Sequence, residues 1–355
     1  MDRYRIDSHK LIFHPERVAD WRAGKNIHPV YAEISPSGAC NHRCVYCALD
    51  FMGYKPRFLD AKLLEKRLTE MGRLGLKSVM FAGEGEPFLH PEMASIAERT
   101  KAAGIDVAFT TNAVLLRPET AARVLPAASW IKVSINAGTP ETYAKIHRTK
   151  PEDFNLVFEN MEYAAALRWK KNYSCALGMQ LVLLPENAHE AAALALRARA
   201  AGMDYLVVKP YSQHPQSLTG KYGGIKYEKY EKLAQELARL NSPVFSVIFR
   251  LSTMRKWDNR EKPHRRCLAL PFWTYIDAGG SVWGCSMFLG KKEFYYGNIA
   301  ENQFKKIWNG PLRKKSLEFV ESKLDARKCR LNCRMDEINR YLHRLQNPPE
   351  HVNFI

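Results

Sequence analysis

Between residues 31 and 209 the chain alternates between segments with helical hydrophobic spacing and short apolar runs. Leu64, Leu68 and Met71 recur on one helical face, which predicts a helix over residues 61–73. Other helices are predicted, three of them beginning at proline, at residues 91–103, 118–125, 140–147, 154–169 and 190–201. Strands are predicted up to Ile34 and at residues 78–82, 106–110, 130–135, 175–184 and 205–209, the last of the sheet.

Regular alternation of strand and helix predicts parallel strands joined by right-handed crossovers. Six such units fit within residues 31–214, whereas a complete eightfold barrel takes about 250 residues. We therefore expect an α/β fold built on a partial (β/α)6 barrel of parallel strands, with a small C-terminal α+β domain. The predicted regions are an N-terminal extension at 1–30, the barrel at 31–214, a connector at 215–262 and the C-terminal domain at 263–355.

Composition excludes several classes of protein. Of the 355 residues, 46% are hydrophobic and 26% charged, values typical of a globular protein and not of a disordered or fibrous one. No apolar run approaches the roughly 20 residues of a membrane span, and no apolar signal core opens the sequence, which favours a cytoplasmic location. The 54 Lys and Arg against 37 Asp and Glu favour an anionic ligand or partner, or form a solvated basic surface.

Eight cysteines change this picture, because grouped cysteines in a reducing compartment indicate a metal. Cys40, Cys44 and Cys47 form a CxxxCxxC pattern. Three ligands leave a coordination position open, as catalytic metal sites do, whereas a structural zinc site takes four. His42 could supply a fourth ligand, so zinc stays an alternative to an iron–sulfur cluster.

The CxxxCxxC pattern, with the aromatic Tyr46 before its last cysteine, resembles the radical S-adenosylmethionine (radical SAM) superfamily. The resemblance implies that Cys40, Cys44 and Cys47 hold a 4Fe–4S cluster whose fourth iron binds SAM. One electron would then cleave SAM to methionine and a 5′-deoxyadenosyl radical, which takes a hydrogen from the substrate. The protein's part is to bind, orient and exclude competing reactions.

Polar residues at predicted strand ends match the family's SAM-binding elements in order. Gly85, Glu86 and Pro87 follow the strand at 78–82, as in the motif that holds the SAM amino group. The resemblance places contacts to the SAM ribose and carboxylate at four further residues: Thr111, Asn112, Ser134 and Asn136. Taken singly, each feature also fits a turn or a strand-end cap.

The sixth strand ends in residues that could contact the substrate: Lys209, Tyr211, Gln213 and His214. The competing interpretation is a polar exit loop. Cys175 opens an apolar strand and is expected to be a buried structural residue.

The remaining cysteines, Cys267, Cys285, Cys329 and Cys333, resemble a SPASM/twitch extension with one auxiliary 4Fe–4S cluster. Full SPASM domains carry seven cysteines, so four indicate the shorter twitch form. Two alternatives remain: a zinc site, or a free Cys267 or Cys285 that donates hydrogen to a product radical.

The sequence thus predicts a radical SAM enzyme that dehydrogenates, epimerises or decarboxylates a small polar, anionic substrate such as a sugar, nucleoside or nucleotide. Only about 30 residues precede the cysteine loop, too few for a leader-peptide domain, so a peptide substrate ranks second and RNA third. A flavodoxin or ferredoxin is the expected reductant. The other classes kept open are an iron–sulfur electron-transfer protein and a zinc-bound nucleic-acid-binding protein.

Overall fold

The computed structural model describes residues 4–354, in which ten strands form one mostly parallel sheet. The strands are β1 (Tyr31–Ile34), β2 (Ser78–Phe81), β3 (Asp106–Thr111), β4 (Ala128–Ser134), β5 (Ala176–Leu183), β6 (Tyr205–Pro210), β7 (Ser246–Phe249), β8 (Trp273–Ile276), β9 (Ser281–Trp283) and β10 (Tyr295–Asn298). Alternating helices and parallel strands confirm the expected α/β class.

The α-helices between residues 61 and 200 follow the predicted positions closely, whereas the first helix was not predicted. They are α1 (Pro15–Arg22), α2 (Ala61–Arg73), α3 (Met93–Ala102), α4 (Pro118–Val124), α5 (Pro140–His147), α6 (Glu152–Lys171), α7 (Ala191–Ala200), α8 (Glu231–Ala238), α9 (Leu251–Asp258), α10 (Phe304–Trp308), α11 (Pro311–Ser322) and α12 (Asp336–Gln346). No helix in the described residues is long and apolar enough to cross a membrane.

Local chemistry explains why these segments fold as they do. The Asp60 side chain accepts a hydrogen bond from the backbone N–H of Leu63 at 2.7 Å, which caps the start of α2. The α2 residues Leu64, Leu68 and Met71 are buried in the main core. Burying such a stripe is the principal source of stability for a helix of this length.

The sheet order is β10-β9-β8-β1-β2-β3-β4-β5-β6-β7. Strand β8 pairs in parallel with β1, while β9 and β10 pair antiparallel beside it. The C-terminal hairpin therefore extends the parallel sheet and is continuous with it. Because β9 runs antiparallel to β8, Cys285, two residues after β9, lies toward the amino ends of β8 and β1.

The predicted connector contains a strand that the sequence analysis missed. Residues 246–249 form β7, which pairs in parallel with β6, so the prediction that the strand at 205–209 is the last is wrong. Four residues, Ser-Val-Ile-Phe, are too short a run to be distinguished from a loop by periodicity. With α8 before it and α9 after it, β7 continues the β/α alternation beyond six units.

The N-terminal extension packs against both halves of the protein. Leu11 and Val18 share a buried cluster with Phe272 and Leu342, from the C-terminal region. Ahead of them, Asp7 accepts hydrogen bonds from Arg250 Nε and Thr253 Oγ1, both at 2.8 Å. Tyr4 and Ile6 pack against Tyr205 and Val207 of β6, so the extension also reaches one face of the sheet.

Candidate metal, cofactor and substrate sites

The first cysteine loop lies between β1 and α2, and backbone contacts hold it to the end of α5. Val45 N–H donates to Ile146 O at 2.9 Å, and Arg43 N–H donates to His147 O at 3.0 Å. Burial raises the pKa of the Cys40 thiol to about 12, and burial together with the neighbouring thiols raises the pKa of Cys44. Three clustered thiols with raised pKa values fit a group that supplies positive charge, because a metal deprotonates the thiols that bind it.

One buried histidine, His42, belongs to this loop, and a second, His147, lies beside it. His147 Nδ1 lies 3.3 Å from Cys44 Sγ, while its Nε2 lies 3.0 Å from Ile135 O and therefore carries the proton. Ligand atoms of His42, Cys44 and His147 all fall within 4.8 Å of one another. The sequence singled out His42 but gave no signal for His147, which follows the loop by a hundred residues.

Gly85 places the turn after β2 directly against the cysteine loop. A Cβ atom at this position would lie 2.2 Å from Ala39 O and 2.3 Å from Ser37 O, so only glycine fits. The next residue, Glu86, donates its N–H to Ala39 O at 2.8 Å. The turn and the loop therefore form one unit.

The Glu86 carboxylate is buried and points to the end of β3. It accepts hydrogen bonds from Thr111 Oγ1 at 2.5 Å, Asn112 N–H at 2.8 Å and Phe88 N–H at 3.2 Å, one residue beyond Pro87. Within residues 4–354 no cation lies at ion-pair distance, and burial raises the pKa of Glu86 to about 7. A buried carboxylate without a cation fits the ammonium group of a ligand such as SAM.

The side chain of Asn136, just after β4, makes its hydrogen bonds to other groups of the protein. Its backbone is left-handed, with φ at 51°, and its Nδ2 donates to the Tyr46 hydroxyl. Its Oδ1 accepts from Val182 N–H at 2.7 Å. These bonds fix the Tyr46 ring relative to β5, while Ser134 is half-buried at the last position of β4.

A cavity with a volume of about 470 Å³ lies near these groups, over one face of the sheet. Cys47 lines one side and Cys333 another, so both cysteine groups reach it. A smaller cavity of about 190 Å³ is lined by Tyr46 and Tyr211. Both are lined by Lys209, Arg250 and Arg330, which makes them neighbours.

Cations outnumber carboxylates around the larger cavity. Six cationic side chains line it, Lys132, Lys209, Arg250, Lys256, Arg330 and Arg334, against three carboxylates, Glu33, Asp336 and Glu337, an excess of 6 − 3 = 3. Such a lining favours an anionic ligand. Ile6 and Ser8 of the N-terminal extension complete one side.

The four predicted substrate contacts separate into two pairs. Lys209 and Tyr211 line the cavities. Gln213 Nε2 donates to Thr219 O at 2.8 Å, and His214 stacks on Phe51 with ring centroids 5.0 Å apart. Gln213 and His214 line neither cavity and instead hold the loop after β6 in place.

The sequence analysis assigned no role to Lys132 and Arg330, two residues that line the cavity. Lys132 lies between Trp130 and Ser134 on alternate positions of β4, and this period of two places all three on one face. The sequence could have indicated that Lys132 lines a cavity, because it is a lysine at an inward strand position among apolar neighbours. Arg330 had none, because it lies on a loop beside Cys329.

The C-terminal cysteines come from three separate segments and line one small pocket: Cys267, Cys285, Cys329 and Cys333. Its other walls are mostly apolar, and include Leu270, Phe288 and Phe294. Asn339 Nδ2 donates to Cys267 Sγ at 3.6 Å, and Met287 N–H donates to Cys285 Sγ at 3.4 Å. Four convergent thiols fit a cluster fully liganded by protein.

Cys175 is buried apart from them, at the start of β5, as expected for a structural residue.

Two family profiles match the chain. The profile of the radical SAM superfamily matches residues 34–198, and that of an iron–sulfur cluster-binding domain, SPASM, matches residues 267–334. Together they include all seven of the grouped cysteines.

Among curated proteins, the chain is 32% identical over 146 residues to a GTP 3′,8-cyclase of Limosilactobacillus fermentum, covering 40% of this chain and 43% of that protein. It is 34% identical over 116 residues to a probable GTP 3′,8-cyclase of Methanothermobacter thermautotrophicus, covering 32% of this chain and 38% of that protein. The matches therefore span about two fifths of these relatives.

Solved structures share the fold over most of the chain. SuiB of Streptococcus suis bound to its precursor peptide SuiA has a TM-score of 0.65 at 18% identity, covering 87% of this chain and 71% of that one. The enzyme anSMEcpe with bound AdoMet has a TM-score of 0.59 at 17% identity, covering 87% and 91%. At this identity the likeness is one of fold.

Proposed function

The chain belongs to the radical SAM superfamily, and from this premise we propose that it cleaves SAM reductively and abstracts hydrogen from a small anionic molecule held in the larger cavity. Family membership supplies the cofactors, which are a SAM-binding 4Fe–4S cluster, SAM and an auxiliary iron–sulfur cluster. When bound, they provide a 5′-deoxyadenosyl radical.

In this proposal Cys40, Cys44 and Cys47 hold the SAM-binding cluster, and their loop leaves a side open toward the cavity at Cys47. Glu86 pairs with the SAM ammonium through a carboxylate already held by three hydrogen bonds. Gly85 keeps this carboxylate beside the loop. Tyr46, fixed by Asn136, lines the smaller cavity, where the SAM adenosine would lie. Thr111, Asn112 and Ser134, at or next to the ends of β3 and β4, would complete the polar side of the SAM site.

The auxiliary cluster is assigned to Cys267, Cys285, Cys329 and Cys333, whose convergence on one apolar pocket supports it. Because four thiolates fill its coordination, the substrate would not bind this cluster directly. Cys333 lines both the pocket and the cavity, so a cluster held by these four cysteines would lie beside the substrate and could accept an electron from it. This arrangement suits an oxidative outcome such as dehydrogenation; epimerisation and decarboxylation stay within the proposal.

The observation that carries the substrate class is the cationic cavity between Cys47 and Cys333. A volume of about 470 Å³ lies in the range of small-molecule pockets. The excess of cations selects an anionic sugar, nucleoside or nucleotide. The similarity to enzymes named for a nucleotide substrate supports the same class.

A peptide or protein side chain is the second candidate, favoured by the shared fold with SuiB, which has been seen with a precursor peptide. RNA is the third, favoured by the net charge of +17. The proposed setting is the cytoplasm, with a flavodoxin or ferredoxin as electron donor, since acidic donor surfaces complement a basic protein.

The test is 5′-deoxyadenosine formation by the anaerobically reconstituted, reduced protein with SAM and no substrate. Slow release of 5′-deoxyadenosine that disappears in Cys44→Ala is the expected result. A brown, iron-loaded protein that forms none, with or without a panel of anionic metabolites, would contradict the proposal and favour electron transfer. A colourless, zinc-loaded protein would favour the nucleic-acid-binding alternative.

A further inference from the structure

The cations of the larger cavity fall into two sets according to their partners. Arg250 Nε lies 2.8 Å from Asp7 Oδ1, and Arg334 Nη2 lies 3.3 Å from Glu33 Oε2. Lys256 pairs with Glu337. These three charges are neutralised within the protein, so they leave little attraction for a ligand.

The second set, Lys132, Lys209 and Arg330, has no carboxylate at ion-pair distance anywhere in residues 4–354. The Arg330 guanidinium donates from Nε to Ser212 Oγ at 2.6 Å, and Lys132 lies 5.6 Å from the centre of the Trp130 ring. Neither contact compensates a charge. Three partly buried cations without an anion are costly, so the lysines either lose their protons or gain a ligand that supplies the negative charge.

The three come from separate parts of the fold. Lys132 lies on β4, and Lys209 lies on β6, which is separated from β4 by β5. Arg330 lies on the loop between Cys329 and Cys333. All three line the larger cavity, and Lys209 and Arg330 also line the smaller one that contains Tyr46. Lys209 and Arg330 therefore lie where the two cavities adjoin and where substrate and SAM would meet, and Lys132 lies in the larger cavity.

We propose that Lys132, Lys209 and Arg330 form a subsite for a phosphate or diphosphate group of the substrate. The inference rests on the proposed function and names the chemical class that the cavity selects. With both lysines protonated the subsite carries three positive charges, which two or more negative charges match and a single carboxylate would leave largely uncompensated. The planar Arg330 guanidinium offers paired donors to phosphate oxygens, and the lysines add point charges from the sheet.

The electrostatics of the free protein agree with this geometry. Burial lowers the pKa of Lys132 to about 7, with nearby Arg334 and Arg250 contributing. Burial, followed by the charge of Lys132, lowers the pKa of Lys209 well below its ordinary value. A bound dianion would reverse both effects, because an opposite charge favours the protonated amine.

The experiment titrates the anaerobically reconstituted holoenzyme with pyrophosphate, inorganic phosphate and acetate by calorimetry. We expect pyrophosphate to bind at least about 10-fold more tightly than acetate, and Lys132→Met or Lys209→Met to weaken it by about 10- to 100-fold, the range for losing a charge-assisted hydrogen bond. Lys256→Met is the matched control, since Lys256 lines the same cavity but is paired with Glu337. We expect it to change the affinity by less than about 3-fold.

Equal affinity for acetate and pyrophosphate would overturn the phosphate assignment, and equal losses in Lys256→Met and Lys132→Met would overturn the three-residue subsite. If a lysine variant fails to fold, the wild-type preference for pyrophosphate over acetate decides alone. SAM cleavage by the wild type, measured without added anion, tests the proposed function separately. Cleavage without pyrophosphate binding contradicts only the subsite. Pyrophosphate binding without cleavage, when cleavage is also absent with a panel of anionic metabolites, contradicts only the proposed function.

Discussion

The two cysteine groups differ in how the chain assembles them. Cys40, Cys44 and Cys47 lie within eight residues of one loop, whereas the C-terminal four span residues 267–333 and come from three segments. The first group offers three thiols beside open cavities, and the second offers four thiols in a mostly apolar pocket. A short loop can leave a coordination position open for a ligand, while convergence from distant segments closes the site and stabilises the fold around it.

The largest expected effect comes from breaking the open site. Cys44→Ala should reduce 5′-deoxyadenosine formation by at least about 1,000-fold, as for loss of a group that acts as part of a unit. About four irons per chain should be lost, while the C-terminal cluster remains. Iron analysis and product chromatography measure both, and cleavage at the wild-type rate would show that the loop is not the SAM-binding site.

Breaking the closed site should have a different result. Cys329→Ala is expected to remove about four irons per chain and yet leave SAM cleavage without substrate measurable, because the first loop does not share its ligands. Quantitative iron and sulfide analysis beside the cleavage assay is the check. An unchanged iron count would mean that this group binds zinc or holds a free thiol.

Glu86 tests the cofactor side of the open site. Glu86→Gln should weaken SAM binding by about 10- to 100-fold, since the buried ammonium would lose its counter-charge. Glu84→Gln is the control, because Glu84 is buried in the same turn but pairs with Arg57 Nη2 at 2.9 Å. Equal losses of SAM affinity in the two variants would assign Glu86 a structural role.

The same carboxylate predicts a pH dependence. With the pKa of Glu86 raised to about 7 by burial, more of the carboxylate is ionised as pH rises. SAM affinity should therefore increase by about 5- to 10-fold between pH 6 and 7.5, and this rise should be absent in Glu86→Gln. Without SAM, the stability of the fold should change with pH in the opposite direction. Because burial favours the neutral form of Glu86 in the folded protein, the wild type should lose stability relative to Glu86→Gln as pH rises toward 7. A flat binding profile in the wild type would contradict the ammonium pairing.

The smallest effect is expected outside both groups. Cys175→Ala should lower the free energy of unfolding by about 1–2 kcal/mol through a small cavity, and leave iron content and SAM cleavage unchanged. Denaturant unfolding measures the first quantity. A loss of iron would show that Cys175 belongs to a cluster.

The sequence was most informative where the evidence is local. The CxxxCxxC spacing, the apolar strands and the proline helix starts predicted the first six strands and the helices between them. The pairing of β8 with β1 joins residues more than 200 positions apart, and no local pattern encodes it. The four-residue β7 was missed for a related reason, since its partner β6 stabilises it more than its own periodicity does.

The same division applies to the site. Glu86 could be named from its motif, yet its three hydrogen-bond donors became visible only in the fold. Gln213 and His214 were expected at the cavity because they follow a strand, but the loop turns them away. Arg330 reaches the cavity through tertiary packing that sequence spacing does not determine.

The central claim is that one cysteine group binds SAM and the other does not. Electron paramagnetic resonance of reduced Cys329→Ala, recorded with and without SAM, tests it most directly, because this variant should retain a single cluster. We expect one 4Fe–4S signal that changes shape when SAM is added. A spectrum that SAM leaves unchanged would contradict the assignment of Cys40, Cys44 and Cys47 as the SAM-binding site.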